Sequence, residues 1–162
     1  MDEKEILQKI VERFGEKVLE AKVIGARRIT VWVPPEAYKE VVSYVAHDLG
    51  LSFLSCLSGI DRGENLEVVA HIGYSICVLV RTSIPKDKPE IESITDVLPA
   101  ASIYEREAHD LLGIVFKGHP NLKRIFLPED WPKGVYPLRK DYAPSHPKPL
   151  RGGGGELASR SQ

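Results

Sequence analysis

The sequence predicts an α+β fold: helices packed on a mostly antiparallel sheet, followed by an extended, proline-rich C-terminal arm. Three β-rich runs follow one another at residues 51–60, 65–73 and 75–84, and the connections between them are short enough to join only antiparallel neighbours. Amphipathic helical repeats lie before and after these runs. Apolar residues make up 43% of the 162-residue chain, which is enough for one domain with its own core.

The first half of the chain has clear element boundaries. Residues 3–14 carry apolar side chains at helical spacing, and Gly15 provides a C-terminal stop. Residues 27–33 alternate between apolar and other side chains, which predicts a strand. Two prolines end this strand, and the second can open a helix that runs to Gly50.

A third helix is predicted to end at Gly113 and to have two distinct faces. Its apolar face consists of Tyr104, Ala108, Leu111 and Leu112. Its other side is predicted to be a charged face that is solvated or meets a partner, and it carries Glu105, Arg106, Glu107, His109 and Asp110. Helical spacing lets Arg106 pair with Asp110, and lets Glu105 pair with a protonated His109.

The net charge of −1 conceals an asymmetry between the two ends of the chain. Residues 1–102 hold 12 basic and 16 acidic residues, whereas residues 103–162 hold 10 and 7. The near-neutral total argues against a nucleic-acid binder. The difference between the ends predicts a division into an α+β body, residues 1–116, and a C-terminal arm, residues 117–162.

The C-terminal arm lacks regular periodicity. Seven prolines lie between residues 117 and 150, and a compact domain seldom carries so long an irregular stretch unless it is functional or bound to a partner. Prolines also stiffen the arm, which lowers the entropy cost of docking it. The glycine-rich end, residues 151–162, is expected to be a flexible spacer.

The cysteines and the apolar runs of the sequence indicate where in the cell the chain is located. Cys56 and Cys77 lie in apolar runs, as core cysteines do, and two isolated thiols make neither a disulfide framework nor an iron–sulfur site. The longest strongly apolar run, residues 76–80, is far shorter than the roughly 18 residues of a membrane span. The acidic N-terminus does not read as a signal peptide. We therefore expect a cytoplasmic chain that contacts a membrane only through partners. The chain also has few Asn and Gln residues and many charged residues and prolines, a composition that is typical of thermophilic proteins.

Four motifs follow one another in the C-terminal third. They are EREAHDLLG at residues 105–113, FKGHPNLKR at 116–124, LPEDW at 127–131 and PLRKDY at 137–142. In this order they resemble the thirty-kilodalton subunit family of respiratory complex I, also called the family of its C subunit. Relatives of this subunit also occur in membrane-bound energy-converting hydrogenases and in ferredoxin-linked sulfur reductases.

The resemblance implies a non-catalytic subunit in the peripheral arm of a membrane-bound, ion-translocating oxidoreductase. It implies no flavin, iron–sulfur cluster or nickel in this chain, so we expect no cofactor and no activity by itself. The implied partners are the large subunit, which is similar to the D subunit of complex I and to the nickel-site subunit of hydrogenases, and an iron–sulfur subunit. The implied location is the cytoplasmic side of the membrane.

The residues that we expect at the partner interface are charged or aromatic and lie in the four motifs. Arginine can hold a carboxylate with two hydrogen bonds, and aromatic side chains among prolines suit interface anchors. The predicted set is Glu105, Arg106, Glu107, Asp110, His119, Arg124, Trp131, Arg139, Lys140, Asp141 and Tyr142.

The alternative is a small, self-sufficient metal-dependent enzyme that uses Glu105, Glu107, His109 and Asp110. A metal site needs three or more converging ligands, and no His-Glu-x-x-His pattern occurs. Nucleophile and phosphate-loop motifs are also missing from the sequence. A charged or partner-facing helix surface is therefore the favoured interpretation.

Overall fold

The computed structural model describes residues 1–144; residues 145–162, which include the expected glycine-rich spacer, lie outside the described residues. The described helices are α1 (Glu3–Phe14), α2 (Pro35–Ser43) and α3 (Ala101–Leu112). The described strands are β1 (Glu20–Gly25), β2 (Arg28–Trp32), β3 (Leu54–Asp61), β4 (Asn65–Ile72), β5 (Cys77–Pro85), β6 (Glu90–Glu92) and β7 (Val115–Lys117).

The first helix, α1, begins and ends as its sequence predicts. The Asp2 side chain accepts a hydrogen bond from the Glu5 backbone N–H at 2.9 Å, and the Glu5 side chain accepts one from the Asp2 N–H at 3.0 Å. This reciprocal capping box satisfies two donors that the helix itself cannot use. Gly15 follows the last residue with φ 49°, and the buried stripe is Ile6, Ile10 and Phe14.

The second helix, α2, also confirms its prediction. Pro35 stands at its first turn, and the helix continues as a wider π-helical turn, Tyr44–Asp48, before Gly50. Tyr38, like the valines of this helix, is buried against the sheet.

The main sheet has five strands in the order β1-β2-β5-β4-β3. The β3–β4 and β4–β5 pairs are antiparallel, as the short connections predict, and β1–β2 is antiparallel as well. The β2–β5 pair is parallel, so the sheet is mixed. The sequence pattern does not predict strand β1, because almost all of its side chains are exposed and buried and exposed positions do not alternate. Two three-residue strands, β6 and β7, form a separate parallel pair.

Helix α3 packs closely on β3 at Gly59. A Cβ atom at Gly59 would lie 2.5 Å from Cδ1 of Leu112, so a larger residue here would force the Leu112 side chain to shift. Ala108 and Leu112 are buried on this side, which confirms the predicted apolar face at these two positions, whereas Tyr104 and Leu111 are partly exposed. Gly113 ends the helix in the left-handed conformation with φ 79°.

The other surface of the sheet holds an ion cluster that the sequence analysis does not predict. Glu67 on β4 is 1% exposed and accepts hydrogen bonds from Arg81 at 2.7 Å and from Arg62 at 2.9 Å. The Arg81 guanidinium lies 4.3 Å from the centre of the Trp32 ring. Two guanidinium groups stabilise this buried carboxylate, and one of them, that of Arg81, also stacks on an aromatic ring.

The described part of the C-terminal arm runs through turns from Gly118 to Pro144, without a helix or a strand after β7. The predicted division between residues 116 and 117 falls within β7. Among the described residues, no helix is both long and apolar enough to cross a membrane.

Candidate functional site

Asp110 on α3 fixes the C-terminal arm to the body. Its Oδ2 atom accepts hydrogen bonds from three successive backbone N–H groups, those of Ile125 at 3.1 Å, Phe126 at 2.8 Å and Leu127 at 2.8 Å. Arg124 Nε lies 3.9 Å from the other oxygen. Burial alone would raise the pKa of Asp110, but the three N–H donors and Arg124 outweigh burial and hold that pKa below its usual range. Asp110 therefore binds the arm as a carboxylate.

Arg106, one turn earlier on α3, binds the peptide groups that precede this segment. Its Nε atom donates to the Lys123 carbonyl and its Nη2 atom to the Arg124 carbonyl, both at 2.9 Å. The predicted pair between Arg106 and Asp110 is wrong. The two side chains instead hold neighbouring parts of one segment of the arm, Arg106 through carbonyls and Asp110 through N–H groups.

Arg124 organises the next loop of the arm. Its Nη1 atom donates to the carbonyls of Pro128 at 3.2 Å and Trp131 at 3.0 Å. The Trp131 indole donates to the Val135 carbonyl at 2.8 Å, and its ring centre lies 6.2 Å from that of Tyr142. Two of the predicted interface aromatics thus contact each other within the chain.

A second attachment lies at the C-terminal end of α3. Arg139 Nε donates to the Leu112 carbonyl at 2.7 Å, and the Arg139 guanidinium lies 4.5 Å from the centre of the Tyr136 ring. The same ring covers Gly113, where a Cβ atom would lie 2.5 Å from ring carbons. The glycine at this position therefore both ends the helix and admits the aromatic ring.

A third attachment, at the end of β3, is centred on Asp61. Its Oδ2 atom accepts hydrogen bonds from Lys86 Nζ and from the Lys140 backbone N–H, both at 2.8 Å, and Gly63 N–H binds Oδ1 at 2.7 Å. Lys86 also lies 3.2 Å from Asp141. Burial opposes ionisation, but Lys86 and the two backbone donors lower the pKa of Asp61 to about 2.

Glu105 lies inside the body, next to the connection between β6 and α3. It is 0% exposed, and it accepts hydrogen bonds from the Ser93 hydroxyl at 2.7 Å and the Ile94 N–H at 2.8 Å. Burial raises the pKa of Glu105 to about 7 despite these donors. Burial, and to a lesser extent the Glu105 charge, also raises the pKa of Tyr38, whose hydroxyl has no hydrogen-bond partner among the described residues.

The two histidines of this region have partners within the chain. His119 Nδ1 accepts from the Asn121 N–H at 2.9 Å, which assigns the proton to Nε2, and Nε2 lies 3.2 Å from the Ser102 carbonyl. His109 Nδ1 lies 2.8 Å from the Ile114 carbonyl and is the donor to it. The predicted pair between Glu105 and His109 is therefore wrong.

The predicted charged face of α3 is wrong for two of its five residues. Glu105 and Asp110 are 0% and 3% exposed, because backbone N–H groups from other segments meet their carboxylates in the interior. Arg106, Glu107 and His109 are partly exposed. Glu107 makes no ion pair with a described residue and lines a groove of about 140 Å³ between α3 and β3.

The geometry does not support the metal-enzyme alternative. Glu105 points to the Ser93–Ile94 turn, whereas Asp110 points to the arm, so the two carboxylates do not converge. Within residues 1–144, no three histidine, cysteine, aspartate or glutamate side chains are arranged to hold a metal ion.

Sequence reasoning misses Asp61, Lys86, Ser93 and Tyr38 at this site. The Asp-x-Gly pattern at Asp61 predicts only a local turn, which the bond from Gly63 confirms. The contact with Lys140 joins residues 79 positions apart and has no local signal.

The four motifs thus form one hydrogen-bonded unit. The chain matches the family described as respiratory-chain NADH dehydrogenase, 30 Kd subunit, over residues 31–148. The chain belongs to this family. The resemblance drawn from the motifs is confirmed.

Relatives of this 30 Kd family member come from several complexes. The chain is 38% identical over 147 residues to the C subunit of F(420)H(2) dehydrogenase from Methanosarcina mazei, covering 88% of this chain and 92% of that protein. It is 32% identical over 144 residues to the beta subunit of the membrane-bound hydrogenase from Pyrococcus furiosus, covering 84% and 83%. A solved chain of the membrane-bound sulfane sulfur reductase, an archaeal respiratory membrane complex, superposes with a TM-score of 0.76 at 27% identity, covering 86% of this chain and 85% of that chain. The family is therefore one of subunits of membrane-bound respiratory complexes.

Proposed function

We propose that this chain is a non-catalytic structural subunit in the peripheral arm of a membrane-bound, ion-translocating oxidoreductase related to complex I. It holds the large electron-transfer subunit, the one similar to the D subunit of complex I and to the nickel-site subunit of hydrogenases. An iron–sulfur subunit is a second neighbour. The assembly lies on the cytoplasmic side of the membrane, and this chain, which carries no cofactor, reaches the membrane only through its partners.

The proposal depends on one observation: charged side chains of the four motifs bind the backbone of their own chain. Asp110, Arg106, Arg124 and Arg139 make their hydrogen bonds to the backbone of their own chain. Side chains used in this way are not available as acids, bases or ligands, but they give the arm a fixed shape. A fixed arm loses little conformational entropy when it binds a partner, which suits a scaffold.

The named relatives support the same role. One belongs to an F(420)H(2) dehydrogenase, one to a membrane-bound hydrogenase and one to a sulfane sulfur reductase. A subunit shared by complexes with such different substrates suits a task that does not depend on the substrate. Holding an electron-transfer subunit is such a task.

The two-part organisation belongs to this proposal. The body, residues 1–116, supplies the sheet and helices, and the arm, residues 117–162, supplies most of the surface that meets partners. Within residues 1–144, the side chains of Lys117, Lys123, Lys133 and Lys140 make no ion pair, and we assign them to this surface. Attachment at Asp110, Gly113 and Asp61 then sets the position of this surface.

Purification in two forms tests the proposal. An affinity tag on the full chain, expressed in its source cells and extracted with mild detergent, should bring down a large subunit of the stated type and an iron–sulfur subunit in equal amounts. The full chain purified alone should show no bound metal, no cofactor absorbance and no turnover of hydrogen, reduced ferredoxin or quinone.

Either of two results would overturn the proposal. One is stoichiometric metal or turnover in the chain alone. The other is a tagged chain that leaves the cell extract without oxidoreductase subunits.

A further inference from the structure

Two rows of side chains lie side by side on the face of the main sheet that is turned away from the core. Alternate residues of a strand share a face, and the strand register sets which residues of neighbouring strands are adjacent. The first row, across β2, β5, β4 and β3, consists of Trp32, Arg81, Val69 and Ser58. The second row, across β5, β4 and β3, consists of Ser83, Glu67 and Ile60. Together with Arg62, which binds Glu67, these residues form the outer patch.

The outer patch contains three large apolar side chains that do not belong to the hydrophobic core. Val69 is 3% exposed, and Trp32 and Ile60 are half-buried. The core, which includes the buried apolar side chains of the three helices, takes up Val31 and Val68 from the opposite face. A sheet face that meets only water normally carries polar side chains, so this composition indicates a face that a partner covers.

The ion cluster of the outer patch has one more cation than it has carboxylates. Glu67 Oε1 lies 2.7 Å from Nε and 2.6 Å from Nη2 of Arg81, and Glu67 Oε2 accepts from Arg62 Nε at 2.9 Å. Within residues 1–144, neither arginine pairs with a second carboxylate. Each guanidinium carries five N–H donors, so both arginines keep Nη donors that Glu67 does not use. The cluster therefore has a net charge of about +1 and donors for one more carboxylate.

Both arginines are accessible, and one of them is held in a fixed position. The Arg81 guanidinium lies between Glu67 and the Trp32 ring, whose centre is 4.3 Å away, and its side chain is 22% exposed. The Arg62 side chain is 54% exposed. A guanidinium that is already fixed loses little conformational entropy when it binds a carboxylate. Tryptophan and arginine are also the residue types that most often dominate binding energy at interfaces.

The other charges near the outer patch do not supply the additional carboxylate. Glu20, which lies opposite Trp32 on β1, is paired with Lys22. Glu64, in the β3–β4 turn, is exposed and makes no ion pair with a described residue. Residues 145–162 hold three basic residues and one acidic residue, so their charge does not complement a cationic patch. The complementary carboxylate is therefore expected on a different protein.

We propose that an aspartate or glutamate side chain of the large electron-transfer subunit accepts hydrogen bonds from Arg62 and Arg81. Apolar side chains around that carboxylate pack on Trp32, Val69 and Ile60. The outer patch spans four strands, so its occupant is a broad surface, which suits the larger of the two proposed neighbours. This inference rests on the proposed function and names the place on the body where the large subunit binds.

Site-specific photo-crosslinking in the assembled complex tests which protein covers the outer patch. The tagged full chain carries p-benzoylphenylalanine in place of Ser83, an exposed residue of the patch, or, as a control, in place of Lys4, an exposed residue of α1. Irradiation of the purified complex should join position 83 to the large subunit, at a peptide that contains aspartate or glutamate. The yield should be higher than from position 4.

Several crosslinking results would overturn the inference. They are crosslinks from position 83 to the iron–sulfur subunit, to a second copy of this chain or to residues 145–162, no crosslink at all, and equal yields of large-subunit crosslink from positions 83 and 4. Because Ser83 makes no contact in the ion cluster, this experiment leaves the cluster intact and decides the inference even if a cluster variant does not fold.

Matched substitutions measure the contribution of the charge. Arg62→Gln leaves Arg81 on Glu67 and should lower retention of the large subunit in about 300 mM salt by about tenfold or more. Lys4→Gln removes one positive charge from α1, and Glu64→Gln removes a carboxylate from the turn that follows Arg62, so neither should lower retention. Full retention by a folded Arg62→Gln variant, or an equal loss in Lys4→Gln, would overturn the inference.

A charge exchange tests the pairing itself. Arg62→Glu should lose the large subunit, and replacing the crosslinked carboxylate of that subunit with lysine should restore binding. Circular dichroism and the melting temperature check that each variant is folded. If no carboxylate of the crosslinked peptide restores binding in this way, the proposed pairing is wrong.

The two proposals fail in different ways. If the unmodified chain brings down no oxidoreductase subunits, the proposed function is wrong. If it does, and position 83 does not crosslink to the large subunit, the chain is a subunit of the complex but the outer patch is not where the large subunit binds.

Discussion

Arg106 and Arg124 are joined by a 2.9 Å hydrogen bond from the Arg106 guanidinium to the Arg124 backbone carbonyl. Together with the bond to Lys123, it lets one side chain of α3 hold two peptide groups of the arm. The bond is internal to the chain, so its loss is visible without any partner.

Arg106→Ala should loosen the arm before it unfolds the body. Loss of two hydrogen bonds to a charged group costs about 1.5–3 kcal/mol each at most, and partial exposure of the arginine reduces this. We expect faster hydrogen exchange at residues 125–127 and a melting temperature lower by several degrees, about 2–4 °C per kcal/mol. Lys133→Ala, which removes an exposed arm cation without a described ion pair, is the matched control. Equal exchange in both variants would contradict the attachment of the arm through Arg106.

Glu105 should make stability fall as pH rises through neutrality. Its pKa in the folded chain is about 7 against an ordinary 4.5, so the unfolded chain loses its proton first. The stabilising contribution is full below about pH 4.5, falls as pH rises to about 7 and stays lost above it. Glu105→Gln should remove this dependence and be the more stable protein at pH 8 in urea titrations, whereas Glu107→Gln should follow the unmodified chain. A pH-independent difference in stability between the Glu105→Gln and Glu107→Gln variants would refute this assignment.

Asp61 should make the stability of the chain fall as pH decreases through the acid range, opposite to the effect of Glu105. Its pKa is lowered from 3.8 to about 2, so the folded chain releases this proton more readily than the unfolded one. Its stabilising contribution is full above about pH 4 and is lost as pH falls to about 2. Asp61→Asn should therefore weaken the chain at pH 7 and flatten the acid limb of a pH titration of the melting temperature. Exchange at the Lys140 N–H, which Asp61 binds, should rise at the same time. If the acid limb is unchanged, other carboxylates set it.

Gly113→Ala should displace Tyr136 from the end of α3. A Cβ atom there would lie 2.5 Å from ring carbons, and the residue has φ +79°. Gly118→Ala is the matched control, because its φ is +85° and no atom lies within 4 Å of the added carbon. Left-handed backbone strain, about 1 kcal/mol, is common to both variants, so any larger loss of stability in Gly113→Ala measures the clash. Tyrosine fluorescence or ring NMR shifts at Tyr136 report the displacement. Equal destabilisation of the two variants would mean that the ring moves aside at no cost.

Much of the fold follows from local pattern. The extent of α1 and the end of α3 follow from apolar spacing and from glycine stops. The antiparallel pairing of β3, β4 and β5 follows from connections too short for any other arrangement. The parallel pairing of β2 with β5 does not, because those strands are more than forty residues apart and no turn fixes their register. Strand β1 is missed because an exposed edge strand needs no alternation of apolar side chains.

The candidate site was also predictable from the sequence only in part. The motifs name its residues, but helical spacing shows only that Glu105 and Asp110 lie on the polar side of α3, and it cannot show what that side faces. The donors that meet Asp110 come from 15 to 17 residues further along the chain, and one that meets Asp61 comes from 79. A buried carboxylate is stable only when such donors arrive, which is a property of the whole fold.

The sequence by itself determined the family, the α+β class and the contrast between an acidic body and a basic arm. These depend on composition and on spacing within short windows. Only the tertiary structure decided that the charged motif of α3 turns inward to hold the arm, that Trp131 and Tyr142 pack on each other, and that Phe126 remains exposed. The reason is that hydrogen bonds to a buried carboxylate, and the exposure of a side chain, depend on segments that meet only when the chain is folded.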